Sequence, residues 1–326
     1  MKETAGTQPK KIGVVIVSYN VKNYLKQALT AVVKRSQKEP DVEVDIWVVD
    51  NASSDGSPEM VREEFPMARL LEPGKNLGFA AGNNFALREM GFPDGNPDLD
   101  YVFLLNPDAL VNSGALTTLV MFMERHPDAG MVGPYLYYSD GLFQHSAFRF
   151  PDWKQVFLDL FPINWRLQES RLNGRYPRRM YKSGKPFKVD FILGAAMMVR
   201  PKAIEQVGLF DEGYFMYVEE VDWCRRMREA GWEIYVDPRA GVLHFGGRST
   251  KQFLGKMYVA LWKSRLRYFE KYHGKAYNEL VRGIVLLGMG YQSKRAQAMA
   301  KKGEISPEEL KERLEAYRKV EELARV

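Results

Sequence analysis

Four polar clusters in this chain each sit beside or after an apolar run and carry groups able to hold or move charge. Val49-Asp50-Asn51-Ala52-Ser53-Ser54-Asp55-Gly56-Ser57 delivers a carboxylate from an apolar segment into a run of small polar residues. Such residues make turns and helix caps constantly. A carboxylate placed there also accepts hydrogen bonds from a pyrimidine base or a ribose, with the turn amides lining the pocket. Asn106-Pro107-Asp108 directly follows the apolar run Tyr101 to Leu105. Asn-Pro initiates turns, and a carboxylate at a strand end in a polar cleft equally suits Mg2+ or Mn2+ bridging a diphosphate. Such an ion neutralises charge on a departing nucleotide.

Glu219-Glu220-Val221-Asp222 opens a helical pattern. Asp222 and Arg226 stand four apart and can simply pair, and acidic residues suit a first helical turn. Glu220 falls on the side of Met227, where an acidic residue needs a reason. A general base for an acceptor hydroxyl would supply one. His244, in Val242-Leu243-His244-Phe245-Gly246-Gly247, is either a satisfied structural histidine or a metal ligand. Neutral imidazole is a good ligand for a divalent ion, and the glycine pair permits close backbone approach.

The elements that must position these groups are legible from periodicity. Gly13 to Val17 and Val44 to Val49 are β-branched runs that predict buried strands. A helix is expected over Tyr24 to Arg35. A second is expected from an N-cap at Ser57, with Pro58 at its first position, to about Phe65. A strand near Ala68 to Leu71, a helix from Phe79 to Met90 and the strand Tyr101 to Leu105 follow. Alternation of this kind predicts an α/β unit with a mainly parallel sheet flanked by helices. Ligands of such sheets gather at the carboxyl ends of the strands, which marks Ser18-Tyr19-Asn20 as a further site loop. Residues 134–190 show no period and are expected to include a mobile loop. Regularity returns over Val189 to Val199, in a helix from Val218 to Ala230 closed by Gly231, and in a strand from Glu233 to Val236. The chain is expected to be helical from about Gln252, with a capping box at Ser306-Pro307-Glu308-Glu309.

The bulk numbers narrow the classes. The 326 residues are 45% hydrophobic and 27% charged, an ordinary globular composition. The single cysteine, Cys224, excludes an internal disulfide and a cysteine-rich zinc site. No apolar run is long enough to span a bilayer, and Met1 to Lys10 lacks the character of a signal peptide. A cytoplasmic or membrane-peripheral protein is expected. The net charge of +6 is concentrated, with 13 Lys/Arg against 2 acidic residues from Arg248 to Lys302 and a second basic stretch from Arg166 to Lys188. Interleaved aromatics suggest an anionic partner. Phe253, Tyr258, Leu261, Trp262, Leu266, Tyr268 and Phe269 fit an interfacial amphipathic helix and a core-packed helix equally.

Common alternatives lack their residues. No G-x-G-x-x-G follows the first strand, and there is no Walker A sequence, G-x-S-x-G elbow or H-E-x-x-H. A sugar-1-phosphate nucleotidyltransferase would need a glycine-rich loop with a basic residue after that strand. A nucleic-acid-binding protein would show a motif such as an aromatic RNP-type strand. A catalytically dead sugar-nucleotide binder would have no reason to carry Asp108, Glu220 and His244 together.

In order, VSYN (17–20), VDNASSDGS (49–57), NLGFAAGNN (76–84), LLNPD (104–108), FMYVEEVDWCRRMREAGW (215–232) and VLHFGG (242–247) resemble family 2 glycosyltransferases of the GT-A fold. They are most similar to the rhamnosyltransferase-like branch that acts on polyprenyl-diphosphate sugars, and the likeness covers roughly residues 11–250. The resemblance implies that Ser18, Tyr19 and Asn20, with Asp50, Asn51 and Asp55, surround a nucleotide. It implies that Asn76, Gly78, Phe79 and Asn83 flank the donor. Asn106-Pro107-Asp108 would stand in for the D-x-D motif, with Asp108 and His244 on a divalent metal, Mg2+ or Mn2+. Asparagine at 106 removes one anionic ligand from that motif. The family base is the second carboxylate of a Glu-Asp pair, which falls on Glu220, with Glu219 and Asp222 as further candidates.

An inverting transfer is implied, with dTDP-rhamnose as donor and a lipid-linked GlcNAc or similar glycan as acceptor; a UDP-sugar donor is the alternative. No nucleic acid is expected as partner. Residues 1–10 would form a flexible N-terminus. Residues 11–250 would be catalytic, with a nucleotide-sugar half at 11–110 and an acceptor half at 111–250. Residues 251–326 would be a helical extension for peripheral contact with the inner face of the cell membrane or for a homodimer.

Overall fold

The computed structural model describes residues 8–95, 97–246 and 254–326. Residues 1–7 of the expected tail, Gly247 and Phe253 lie outside the described residues. Among the described residues, twelve strands occur in the order β1 (Lys10–Ser18), β2 (Val42–Asp50), β3 (Arg69–Leu71), β4 (Tyr101–Leu105), β5 (Ala109–Val111), β6 (Ala129–Tyr137), β7 (Phe143–Gln144), β8 (Ala147–Phe148), β9 (Phe187–Val189), β10 (Phe191–Ile192), β11 (Ala196–Val199) and β12 (Glu233–His244). The helices are α1 (Lys22–Ser36), α2 (Ser57–Glu64), α3 (Gly78–Glu89), α4 (Ala115–Arg125), α5 (Trp153–Leu160), α6 (Trp165–Gln168), α7 (Arg178–Lys182), α8 (Pro201–Val207), α9 (Glu219–Glu229), α10 (Leu254–Tyr272), α11 (Lys275–Lys301) and α12 (Pro307–Arg325).

The main sheet runs β3-β2-β1-β4-β11-β6-β12-β5. Its first four strands are parallel, and β11 inserts antiparallel between β4 and β6. The β-branched run of β1 explains its central position. Ile12, Val14 and Ile16 face one core, with Leu25, Leu29 and Val32 of α1. Val15 faces the other, with Leu87 of α3 and Trp223 of α9. Period-two alternation with both faces buried is what a strand covered by helices on each side requires.

Pairing fixes the edge where polar loops collect. Ser18 lies opposite Asp50, and Val15 lies opposite Leu104, so Ser18, Asp50 and Asn106 leave the sheet on one side. The far end of β12 returns to that side. Its antiparallel register with β5 sets His244 opposite Ala109, beside Asp108, and the Phe245 amide donates to the Asp108 carbonyl at 3.0 Å.

Three expectations need correction. Ser57 is the first residue of α2, not its cap; Gly56 holds the cap position at φ 80, a left-handed geometry that glycine adopts without strain. Residues 134–137 complete β6, and 138–190 hold short elements: strands of two and three residues, a three-residue 3-10 turn and helices of four to eight. Elements that brief have too few residues to display a period. The strand expected over Glu233 to Val236 continues to His244 through an irregularity between Asp237 and Gly241, which interrupted its pattern.

The C-terminal helices complete the core rather than trailing from it. Trp262, Leu266, Tyr268 and Phe269 of α10 are buried, as are Val281, Val285 and Met289 of α11 and Val320 of α12. Ser306 accepts from the Glu309 amide at 3.1 Å and starts α12 as its sequence predicts. The core-packed reading of α10 therefore holds for those four side chains, and they are not a membrane contact. Among the described residues no helix is long and apolar enough to cross a membrane.

Candidate active site

A cleft of about 1010 Å3 opens at the carboxyl edge of the sheet. Ser18, Tyr19, Asn51, Asn76, Gly78, Phe79, Asn106, Asp108, Glu219, Glu220 and His244 all line it. Residues separated by more than 200 positions are thus gathered around one space.

At one end, Asp108 Oδ1 stands 3.3 Å from His244 Nε2, and both side chains are buried. His244 Nδ1 lies 3.1 Å from Gln144 Oε1. An amide oxygen only accepts, so the ring proton sits on Nδ1, and Asn106 Nδ2 approaches Nε2 at 3.5 Å. In the neutral ring the Nε2 lone pair faces a carboxylate oxygen, which repels unless a proton or a cation lies between them. Two cis ligands about 2.1 Å from an octahedral Mg2+ stand about 3 Å apart, so the observed separation fits a shared divalent ion. Among the described residues no third His, Cys, Asp or Glu joins them. Other coordination positions would fall to water or phosphate oxygens. Gln144 was invisible in sequence because β7, which carries it, is two residues long.

The strand ends form the second part. Ser18 Oγ and Asp50 Oδ1 are buried without a hydrogen-bond partner among the described residues. Burial pushes the Asp50 carboxyl above its ordinary value, against two hydrogen bonds from Ser53. Orphaned buried polar atoms cost free energy, and an incoming donor such as a base or ribose would satisfy them. Asp50 lies beneath the cleft wall rather than on it. Asn51 Nδ2 donates to the Gly78 carbonyl at 3.0 Å, and Asn76 Oδ1 accepts from the Gly78 amide at 2.9 Å. The first bond draws the start of α3 to the end of β2, and the second closes the turn that precedes the helix. Gly78 has φ 80, and a β-carbon there would meet the Phe215 carbonyl oxygen at 2.1 Å. The Phe79 amide donates to that same oxygen at 2.9 Å, which locks α3 to the approach of α9.

Three nucleotide candidates do other work. Asp55 accepts from the Lys22 amide at 2.7 Å and the Ser57 hydroxyl at 2.6 Å, so it clasps the starts of α1 and α2. Asn20, at φ 53, accepts from the Ser54 amide. Asn83 donates back to the Phe79 carbonyl within its own helix. Small polar residues next to backbone amides satisfy the chain first, and residue type alone does not separate the two uses.

The third part is the start of α9. Tyr217 and Val218 have φ of 68 and 71. A left-handed β-branched residue is strained by roughly 1–2 kcal/mol. This bend aims Glu219 and Glu220 into the cleft. Both are buried, and one oxygen of each has no partner among the described residues. Burial raises Glu220 to about 7. Burial and then the charge of Glu220 push Glu219 well above the carboxylate range. Asp222 does not line the cleft. It is fully buried against Arg226 Nε at 2.9 Å, Lys271 Nζ at 2.6 Å and the Tyr272 hydroxyl at 2.9 Å. The ion pair expected with Arg226 is present, and Asp222 holds α9 to α10.

Sequence reasoning also missed Tyr138, Asp140, Phe215, Lys256 and Met257, which line the same cleft. Phe215 opens the quoted stretch 215–232 but was given no role there, and the other four come from an irregular segment and the first turns of α10, with no motif of their own.

The family model described as Glycosyl transferase family 2 matches residues 13–208. The chain is 30% identical over 281 residues to an N-acetylglucosaminyl-diphospho-decaprenol L-rhamnosyltransferase of Mycobacterium tuberculosis, across 78% of this chain and 87% of that protein. It is 26% identical over 261 residues to rhamnosyltransferase WbbL of Escherichia coli K12, across 79% and 92%. A mannosyltransferase of Pyrobaculum calidifontis, solved in complex with GDP-Man and Mn2+, superposes with a TM-score of 0.56 at 17% identity over 98% of this chain and 87% of that one. With the strand-end cleft and its carboxylates in place, the chain belongs to glycosyltransferase family 2 and is a glycosyltransferase of the GT-A fold.

Proposed function

We propose that this glycosyltransferase moves L-rhamnose from dTDP-rhamnose to a hydroxyl of a polyprenyl-diphosphate-linked GlcNAc or a similar lipid-linked glycan, with inversion. One observation carries the chemistry: Glu220, a buried carboxyl with one oxygen unpartnered among the described residues, shares a cleft with the Asp108 and His244 pair. The substrates are inferred from the names of the relatives at 30% and 26% identity.

In this reading Glu220 accepts the proton of the acceptor hydroxyl as that oxygen attacks the anomeric carbon. The bond from that carbon to the diphosphate oxygen breaks on the opposite face, and its electron pair leaves with the nucleotide. A single displacement needs one base and no enzymic nucleophile. A divalent cation on Asp108 and His244 would neutralise the diphosphate as it departs. Ser18 and Asn51, which line the cleft, would hold the nucleotide with Asp50 behind them, and Asn76, Gly78 and Phe79 would flank the donor sugar. A lipid-linked acceptor implies work at a membrane surface, on the cytoplasmic side where nucleotide sugars are found.

The test is transfer itself. Purified protein with polyprenyl-diphospho-GlcNAc and Mg2+ or Mn2+ is offered dTDP-, UDP- and GDP-sugars. Release of dTDP with addition of one deoxyhexose to the acceptor is expected for dTDP-rhamnose, and chelation should abolish it. Transfer from a UDP-sugar alone would reassign the donor, and no transfer from any donor would overturn the reading.

A further inference from the structure

With the aromatics of α10 buried, the exposed apolar surface lies elsewhere. On α11, Leu280, Leu287 and Tyr291 recur at helical spacing on one solvent-facing stripe, and Leu287 is 72% exposed. The stripe is continuous with a second segment. The Tyr291 ring is 5.3 Å from Phe161, just past α5, and Phe161 stacks on Phe157 at 4.9 Å. The chain then projects Ile163 and Trp165 into solvent at 68% and 70% exposure. Contiguous protruding apolar side chains on one face are uncommon unless something covers them.

The charge around this face selects the cover. Between residues 153 and 182 there are 7 Lys/Arg and 2 acidic residues. Both acids are already engaged, Asp159 by Arg265 at 2.7 Å and Glu169 by Arg178 at 3.0 Å. Lys294 and Arg295 continue the α11 stripe beyond Tyr291 and are exposed. The guanidinium of Arg166 lies 5.6 Å over the Trp165 ring. Tryptophan and aliphatic tips beside unneutralised cations match the headgroup zone of an anionic bilayer.

The helix that carries the stripe packs against the helix that lines the cleft. Met257 and Ala260 of α10 line the cleft, while Tyr258 between them reaches Met289 of α11. We propose that the face formed by α11 and the α5–α6 segment docks on anionic phospholipid and holds the cleft beside a membrane-borne acceptor. The docking stands on the surface alone; only its purpose rests on the acceptor proposed above.

The test is flotation of the full chain with phosphatidylcholine vesicles, with and without phosphatidylglycerol and without any acceptor. Binding is expected only with phosphatidylglycerol, and high salt should weaken it. Lys294→Gln with Arg295→Gln should lower affinity roughly 25-fold, at about fivefold per charge. Trp165→Glu with Leu287→Glu should abolish flotation, while transfer to a water-soluble acceptor analogue stays at the wild-type rate. Absence of flotation by the wild type, or unchanged flotation of both variants, would overturn the proposal. So would a wild-type dimer that Leu287→Glu converts to monomer without any lipid binding. Loss of transfer with intact flotation would instead count against the acceptor reading.

Discussion

The two faces of α9 carry carboxylates two residues apart in opposite circumstances. Asp222 is fully buried and meets Arg226, Lys271 and Tyr272 within 3 Å. Glu220 is buried too but lines the cleft, makes no ion pair among the described residues, and leaves one oxygen unpartnered among them. A carboxylate surrounded by cations is spent on structure. One buried without such a partner is pushed up by desolvation, here to about 7. Burial alone therefore does not separate the catalytic candidate from the strut; the partners do.

Substitutions can break that contrast. Asp222→Asn should lower stability by about 3–5 kcal/mol in denaturant unfolding, because Arg226 and Lys271 would lose a buried partner. Transfer per folded molecule should hardly change. The pH dependence should show the reverse for Glu220. Its folded value, about 7, lies above the ordinary 4.5 of an unfolded glutamate. Its stabilising contribution is thus complete below pH 4.5 and is lost as pH rises through about 7, a change on the order of 3 kcal/mol. Glu220→Gln should remove that slope and leave the protein more stable than wild type above neutrality. The base itself must be ionised, so the wild-type rate should climb with pH and level off above about 7.

Two smaller effects sharpen the picture at the other end of the cleft. Gly78→Ala places a β-carbon against the Phe215 carbonyl in a left-handed position. A loss of about 2 kcal/mol in thermal unfolding is expected, with a raised KM for donor. Gln144→Ala removes the acceptor that orients His244. Divalent-ion affinity, read by Mn2+ titration, should fall about tenfold.

The parts legible in sequence were those with a repeat to read. Tyr101 to Leu105 is a strand over the expected residues because five consecutive apolar positions between polar ends admit little else. Asp108, Glu220 and His244 could be singled out because each is polar against an apolar pattern. Asp55 and Asn83 were named with them on residue type but do not line the cleft: Asp55 accepts from the Ser57 amide and Asn83 donates to the Phe79 carbonyl, and residue type says nothing of that competition. Gln144 sits in a two-residue strand without a period. For α10, an amphipathic stripe looks alike whether it meets a core or a lipid surface, and only its packing decided.

The most direct measurement is turnover by Glu220→Gln under saturating donor, with nucleotide-sugar affinity measured in parallel. Transfer should fall roughly 10^2- to 10^4-fold while donor affinity stays within a factor of two or so of wild type, since Glu220 would touch the acceptor's proton and not the nucleotide. Turnover within about tenfold of wild type would show that some other group takes the proton, and the contrast between the two faces of α9 would lose its catalytic meaning.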